Sequence, residues 1–220
     1  MTIDFSDKSI EQARIDFISK ETGDGKRGPF YNKTQDWVFN DNDEKLFINA
    51  VWQAYLDTNR TLPGIQAAEK DKGAFANLAS EIQKFFKEGC KNFNFTHEKW
   101  CEGFISDIKE YNCYDIRYGH AQKVVNMAFK YLYCCMGIDK AKFEKCHMPL
   151  DQFTLAWYFR ETGVLYQGWS WLNKTKYYEI VKRIEQILKT DILGKELVIW
   201  KEYKKSIVEL KYLYVKDIKA

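Results

Sequence analysis

Residues 118–136 carry the apolar pattern that most constrains this chain. Ala121, Val124, Val125, Ala128, Phe129, Leu132 and Met136 recur at helical spacing and make an apolar face too wide for a surface helix. The spacing predicts a helix over 118–136 as the most buried element, which other elements must wrap. The remaining chain offers helices to do so. Residues 10–19, 43–57, 75–87, 151–162, 175–188 and 194–214 have amphipathic periodicity, and Thr96 is a candidate cap for a helix running to residue 111. In 43–57, for example, Leu46, Phe47, Ala50, Val51, Ala54 and Tyr55 share one face. Only 3 Pro and 12 Gly are spread over 220 residues, fewer than a β-sandwich or barrel needs for its turns, and no convincing alternating run of strand length appears. The expectation is an all-α chain, residues 1–220 forming a single domain with possible lobes at 1–112 and 113–220. Hydrophobic residues at 45% suffice for a sizeable core. A long loop is expected over 22–41, where Gly23, Gly25, Gly28 and Pro29 crowd together.

Charge narrows the partners only slightly. The formal net charge is +3. Its distribution is uneven: residues 174–219 hold 12 Lys/Arg against 7 Asp/Glu, and residues 1–50 hold 7 against 10. A basic C-terminal region is compatible with phosphate contacts, and equally with a solvated, lysine-rich helix face. No apolar run approaches the roughly 18 residues of a membrane span, and Met1-Thr2-Ile3-Asp4-Phe5 lacks the basic-then-apolar shape of a secretory leader. Cys90, Cys101, Cys113, Cys134, Cys135 and Cys146 follow no C-x-x-C spacing. They read as reduced thiols of a cytoplasmic protein, with no zinc site and no cofactor expected.

Two residues carry the chemistry. Asp151 follows Pro149, which bars helix before it, and stands where it can cap the next helix. Read structurally, it is a cap worth about 1 kcal/mol. Read functionally, it is a rigidly held anion, able to stabilise positive charge developing on a sugar ring and to orient or activate an attacking water. Lys123 lies early in the central helix among the polar residues His120, Gln122 and Asn126. An exposed lysine there would be a surface charge. A lysine beside a cleft can instead serve as a nucleophile that forms a Schiff base.

The segment Tyr118-Gly119-His120-Ala121-Gln122-Lys123, followed by His147-Met148-Pro149-Leu150-Asp151, resembles the helix-hairpin-helix DNA glycosylase superfamily. The resemblance covers about residues 113–163 and implies a two-lobed helical bundle with the active site between the lobes. Asp151 would be the catalytic carboxylate, and Lys123 the nucleophile that marks members which also nick the strand. The separation of 28 residues between the two is longer than in most members. It is more similar to the archaeal 8-oxoguanine glycosylase branch. Small helical glycosylases that bacteria use against phages with modified DNA are also similar in character. The family's Leu-Pro-Gly-Val-Gly hairpin is absent before Lys123, where only Tyr118-Gly119 stands. Leu62-Pro63-Gly64-Ile65 is closer to it in sequence, but no Lys/Asp pair follows at useful spacing.

What the resemblance implies is excision of a modified base from double-stranded DNA, leaving an abasic site. The base would be a modified cytosine of phage DNA or, alternatively, 8-oxoguanine in a repair glycosylase/AP lyase. The protein would act as a monomer without metal. A flipped base needs stacking and edge contacts. Trp169 and Trp171 in a predicted loop, Tyr158, Trp157, Phe30 and Tyr31 are candidates for the first; His147, His120 and Gln122 for the second. Two other readings compete. Helical ribonucleases of the HEPN type place four to six residues between Arg and His, whereas Arg117 and His120 are separated by two. In a non-enzymatic helical adaptor or inhibitor, Asp151 would be only a cap and Lys123 only a surface charge. A separation of Lys123 and Asp151 beyond about 10 Å would exclude joint action on one substrate.

Overall fold

A computed structural model describes residues 3–18, 37–58, 69–70, 72–111, 115–166 and 168–204. Within them the chain is all-α: α1 (Asp7–Ile18), α2 (Glu44–Thr58), α3 (Gly73–Lys87), α4 (Phe93–Ile108), α5 (Tyr118–Tyr133), α6 (Gln152–Thr162), α7 (Lys174–Leu188) and α8 (Ile192–Lys204). Short 3-10 turns lie at Lys109–Tyr111, Lys140–Phe143 and Trp169–Trp171. The described residues contain no strand, only an isolated bridge between Val38 and Met136.

The central helix is enclosed on all sides. Every residue of α5 is buried, its polar ones included. It packs against α2, α4 and α7 and against the turn at Trp169–Trp171, while α1 and α6 pack on α8 and α3 bridges α2 and α4. The buried apolar side chains form one cluster from Ile10 to Tyr203. Aromatic rings fill much of it: Phe85, Phe86, Phe93, Trp100, Phe129 and Phe143 meet edge-on or tilted at centroid separations of 5.2–6.3 Å, arrangements that ring quadrupoles favour.

Local chemistry sets several helix boundaries. Asp43 accepts the Lys45 N–H ahead of α2, and Asn173 accepts the Lys176 N–H at the start of α7. Gly163, at φ +71°, ends α6 with a left-handed residue. Several expected boundaries move; α1, for one, starts at Asp7 instead of residue 10. Helix α4 begins a turn before Thr96, whose hydroxyl instead donates to the Asn92 carbonyl at 3.1 Å inside the helix. Helix α5 stops at Tyr133, since Gly137 at φ +70° turns the chain toward Val38. Most of the expected 22–41 loop, together with Phe30, Tyr31, Leu62-Pro63-Gly64-Ile65, Cys113 and the stretch beyond residue 204, lies outside the described residues. The five described cysteines are free thiols.

Candidate active site

Asp151 is an N-cap. One oxygen, Oδ1, accepts the backbone N–H groups of Phe153 and Thr154 at 2.9 and 3.2 Å, and the Thr154 hydroxyl accepts the Asp151 N–H at 2.8 Å. This reciprocal box fixes the carboxylate's rotation. The second oxygen, Oδ2, faces the Lys123 ammonium at 4.0 Å. The two residues are 7% and 9% exposed, so both side chains sit just beneath the surface.

Lys123 gains little from its surroundings. Within ion-pair or ring-contact distance, among the described residues, it meets that carboxylate oxygen and the face of Trp169, whose centroid is 4.4 Å from Nζ; the Asp57 and Glu196 carboxyls feel its charge from further off. No hydrogen bond to Lys123 is formed among them. Burying an ammonium without hydrogen bonds is costly, and native chains seldom do so without a use for it.

The segment 147–150 that carries Asp151 is held by side chains of α5. Gln122 donates to the Gly119 and Leu150 carbonyls at 2.9 and 2.8 Å and accepts the Leu150 N–H at 3.1 Å. Asn126 donates to Gln122 Oε1, the Met148 carbonyl and the Tyr177 hydroxyl. The two amides thus do for an extended segment what a neighbouring strand would do. At the same end of α5 the turn at Trp169–Trp171 sits directly over Gly119. Gly119 N–H donates to the Leu172 carbonyl at 2.9 Å, and a Cβ on Gly119 would come within 2.0 Å of the Trp169 carbonyl. Glycine is required there by close approach of another backbone.

The remaining sequence candidates separate into those beside the pair and those in the core. His120 lies beside it: its ring meets Trp169 edge-on at 5.6 Å, and Nδ1 accepts the Arg117 N–H at 3.1 Å. Burial, then the charges of Arg117 and Lys123, pull its pKa down to about 4, so it is neutral and carries its proton on Nε2. Trp171 is 65% exposed and stacks under the Arg117 guanidinium at 3.5 Å. His147 is in the core. Nδ1 pairs with the Tyr177 hydroxyl at 2.8 Å and Nε2 with Asn94 at 2.6 Å, and burial holds it neutral. Tyr158 and Trp157 are buried on α6 as core aromatics, and Gln122 is fully engaged as described.

The sequence reading missed a second layer of buried charge. Lys130, two turns along α5 from Lys123, pairs with Glu196 of α8 at 2.6–2.8 Å, both side chains 1% exposed. The Lys130 ammonium also lies over the Phe17 and Trp200 rings. Burial pushes the Glu196 carboxyl up to about 7 against the opposing pull of Lys130; Asp151 and Lys123 also act on it. Asp57, at the end of α2, accepts the Tyr131 hydroxyl. Its half-buried carboxyl is raised by desolvation against the opposing Tyr131 hydrogen bond, with Lys123, Lys130 and Asp151 also contributing to its field. A signal for this layer existed: Glu196 interrupts an otherwise apolar face of α8, and Lys130 continues the polar stripe of Lys123 and Asn126 along α5. Among the described residues no cluster of three or more His, Cys, Asp or Glu is arranged to hold a metal, and no described helix is long and apolar enough to cross a membrane.

Comparison with known proteins adds no relative. No family model, curated protein or solved structure matches this chain.

Proposed function

We propose that the protein is a DNA glycosylase that removes a modified base from duplex DNA, with Lys123 and Asp151 as its catalytic pair. The observation that carries this reading is the convergence of a buried, hydrogen-bond-free lysine and a rotationally fixed carboxylate at 4.0 Å, from two different elements, beneath one tryptophan. In a purely structural role the cap would need only Oδ1.

The chemistry follows from the geometry. As the bond from C1′ to the base nitrogen breaks, its electron pair leaves with the base and positive charge grows on the sugar. Asp151 Oδ2, the oxygen the cap leaves over, is placed to stabilise that charge. In a hydrolytic route a water oxygen joins C1′, one water proton goes to the base, and the sugar keeps the hydroxyl. In a lyase route Lys123 Nζ joins C1′ and its displaced proton goes to the departing base, with Asp151 Oδ2 the nearest described acceptor on the way. Trp169 offers its ring for the flipped base to stack against. Gln122 and Asn126 act one step back, as positioning residues that keep 147–150 and hence Asp151 in register with Lys123. The preferred substrate is a modified cytosine of phage DNA, with 8-oxoguanine the alternative.

The test is a panel of duplexes carrying 8-oxoguanine, uracil, alkylated bases or glucosylated cytosine, with alkali and borohydride arms. Wild type should leave alkali-labile sites on at least one duplex. Asp151→Asn, which keeps a good cap but loses the charge, should slow excision by about 100-fold or more while costing less than about 1 kcal/mol of stability. Borohydride trapping abolished by Lys123→Ala would assign the lyase route. Absence of abasic sites on every duplex would overturn the glycosylase reading and leave the helical adaptor.

A further inference from the structure

Trp171 is the most exposed large hydrophobic residue among those described. Its ring is covered on one face by Arg117, whose guanidinium stands 3.5 Å from the centroid. Among the described residues no carboxylate lies within ion-pair distance of Arg117. The stack is therefore a preformed unit with an aromatic face, a planar cation and no internal anion to satisfy it. It is also tied to the catalytic pair. Trp169, over Lys123, and Trp171, under Arg117, belong to one 3-10 turn clamped on Gly119. Between the two cations stands His120, uncharged and in the field of both.

We propose that the Arg117–Trp171 stack holds the DNA strand that carries the target nucleotide, Arg117 taking a backbone phosphate and Trp171 stacking on the base next to the one removed. This rests on the glycosylase reading. The occupant is chosen by complementarity. An acidic peptide would satisfy Arg117 and leave the Trp171 face unused. A nucleotide supplies both an anion and a flat ring, and every base has a π-face, so the contact is indifferent to sequence. An unstacked strand next to a flipped nucleotide is where such a ring becomes available. Because the turn is already fixed against α5, the contact costs little ordering on binding.

The experiment measures binding of a short duplex with one tetrahydrofuran abasic-site analogue, which needs no knowledge of the base, over a series of salt concentrations. Arg117→Gln should weaken binding on all sequences and lower the slope of log affinity against log salt by about one unit. Trp171→Ala should weaken it by about 5- to 100-fold at unchanged slope. Arg117→Lys should keep the slope. Wild-type tryptophan fluorescence should be quenched on binding, and that quench should shrink in Trp171→Phe. The stack lies at the surface, and circular dichroism checks that each variant remains helical. If both variants bind and titrate with salt as wild type does, while wild type still excises its base, this inference is overturned and the glycosylase stands. If wild type neither binds the duplex nor excises any base, the glycosylase reading fails and takes this contact with it. Preference of the stack for an acidic peptide over the duplex would also overturn it.

Discussion

Gln122 shows how one side chain can substitute for a missing strand. Its amide pairs with both the N–H and the carbonyl of Leu150 and with the Gly119 carbonyl, all in the dry core. Gln122→Leu retains the volume and removes every one of these bonds. The two Leu150 backbone groups are then stranded, at ~1–3 kcal/mol each. The variant should unfold at clearly lower urea than wild type, with an unchanged slope, and should lose excision in proportion to how far Asp151 drifts from Lys123. A variant with wild-type stability would show that water or another side chain replaces the amide. The sequence displayed Gln122 as polar on an apolar helix, but could not say whether it faced a substrate or a backbone. That depended on where the segment after Cys146 would lie, a tertiary fact. Asp151 was legible as a cap because caps are written locally, in Pro149 before it and an apolar helix after it.

Between elements, the informative contact is Lys130 with Glu196, the ion pair that joins α5 to α8 through the core. Removing one partner of such a pair leaves the other buried and unpaired, at about 3–5 kcal/mol, whereas removing both can be nearly neutral. Lys130→Met should therefore be strongly destabilised, and Lys130→Met combined with Glu196→Leu should recover most of the loss in equilibrium denaturation. Equal losses in the single and double variants would mean that the aliphatic stem of Lys130 against Phe17 and Trp200, not the charge, holds the helices together. Helix identity was readable from the sequence because periodicity is a local property: the eight helices among the described residues all fall on predicted stretches. Helix ends were less so. Asn92 starts α4 at φ 56° with no side-chain cap, leaving no capping signature to read, and Arg117 precedes α5 with its backbone N–H held by His120 from inside the helix.

For the whole molecule, the three histidines make stability depend on pH, and the sign can be worked out. His97 is fully buried, its Nε2 bonded to Asn126, and burial takes its pKa down to about 3; His120 falls to about 4; and burial, with His97 beside it, holds His147 well below its ordinary value. In the unfolded chain each returns to about 6.5. Below that value the unfolded state binds more protons than the folded one, so acidification favours unfolding. The histidine contribution is complete above about pH 6.5 and is lost as pH falls toward the folded values, each residue adding up to ~1.4 kcal/mol per pH unit. Glu196 and Asp57 work the other way. Both are raised by burial, so the folded state binds their protons first; the stability they contribute is present in acid and lost as pH rises, for Glu196 between about 4.5 and 7. At pH 6.5 the unfolded histidines are only half protonated and the two sets nearly balance; toward pH 5 three groups against two leave a net loss of roughly 1 kcal/mol per unit. Urea midpoints should change little near pH 6.5 and fall with increasing steepness toward pH 5. His147→Asn, which can still meet a hydroxyl and an amide, should flatten the slope by about one proton. A midpoint that stays level or climbs on acidification would mean that the carboxylates around Lys123 and Lys130, rather than the histidines, govern the proton balance of the core.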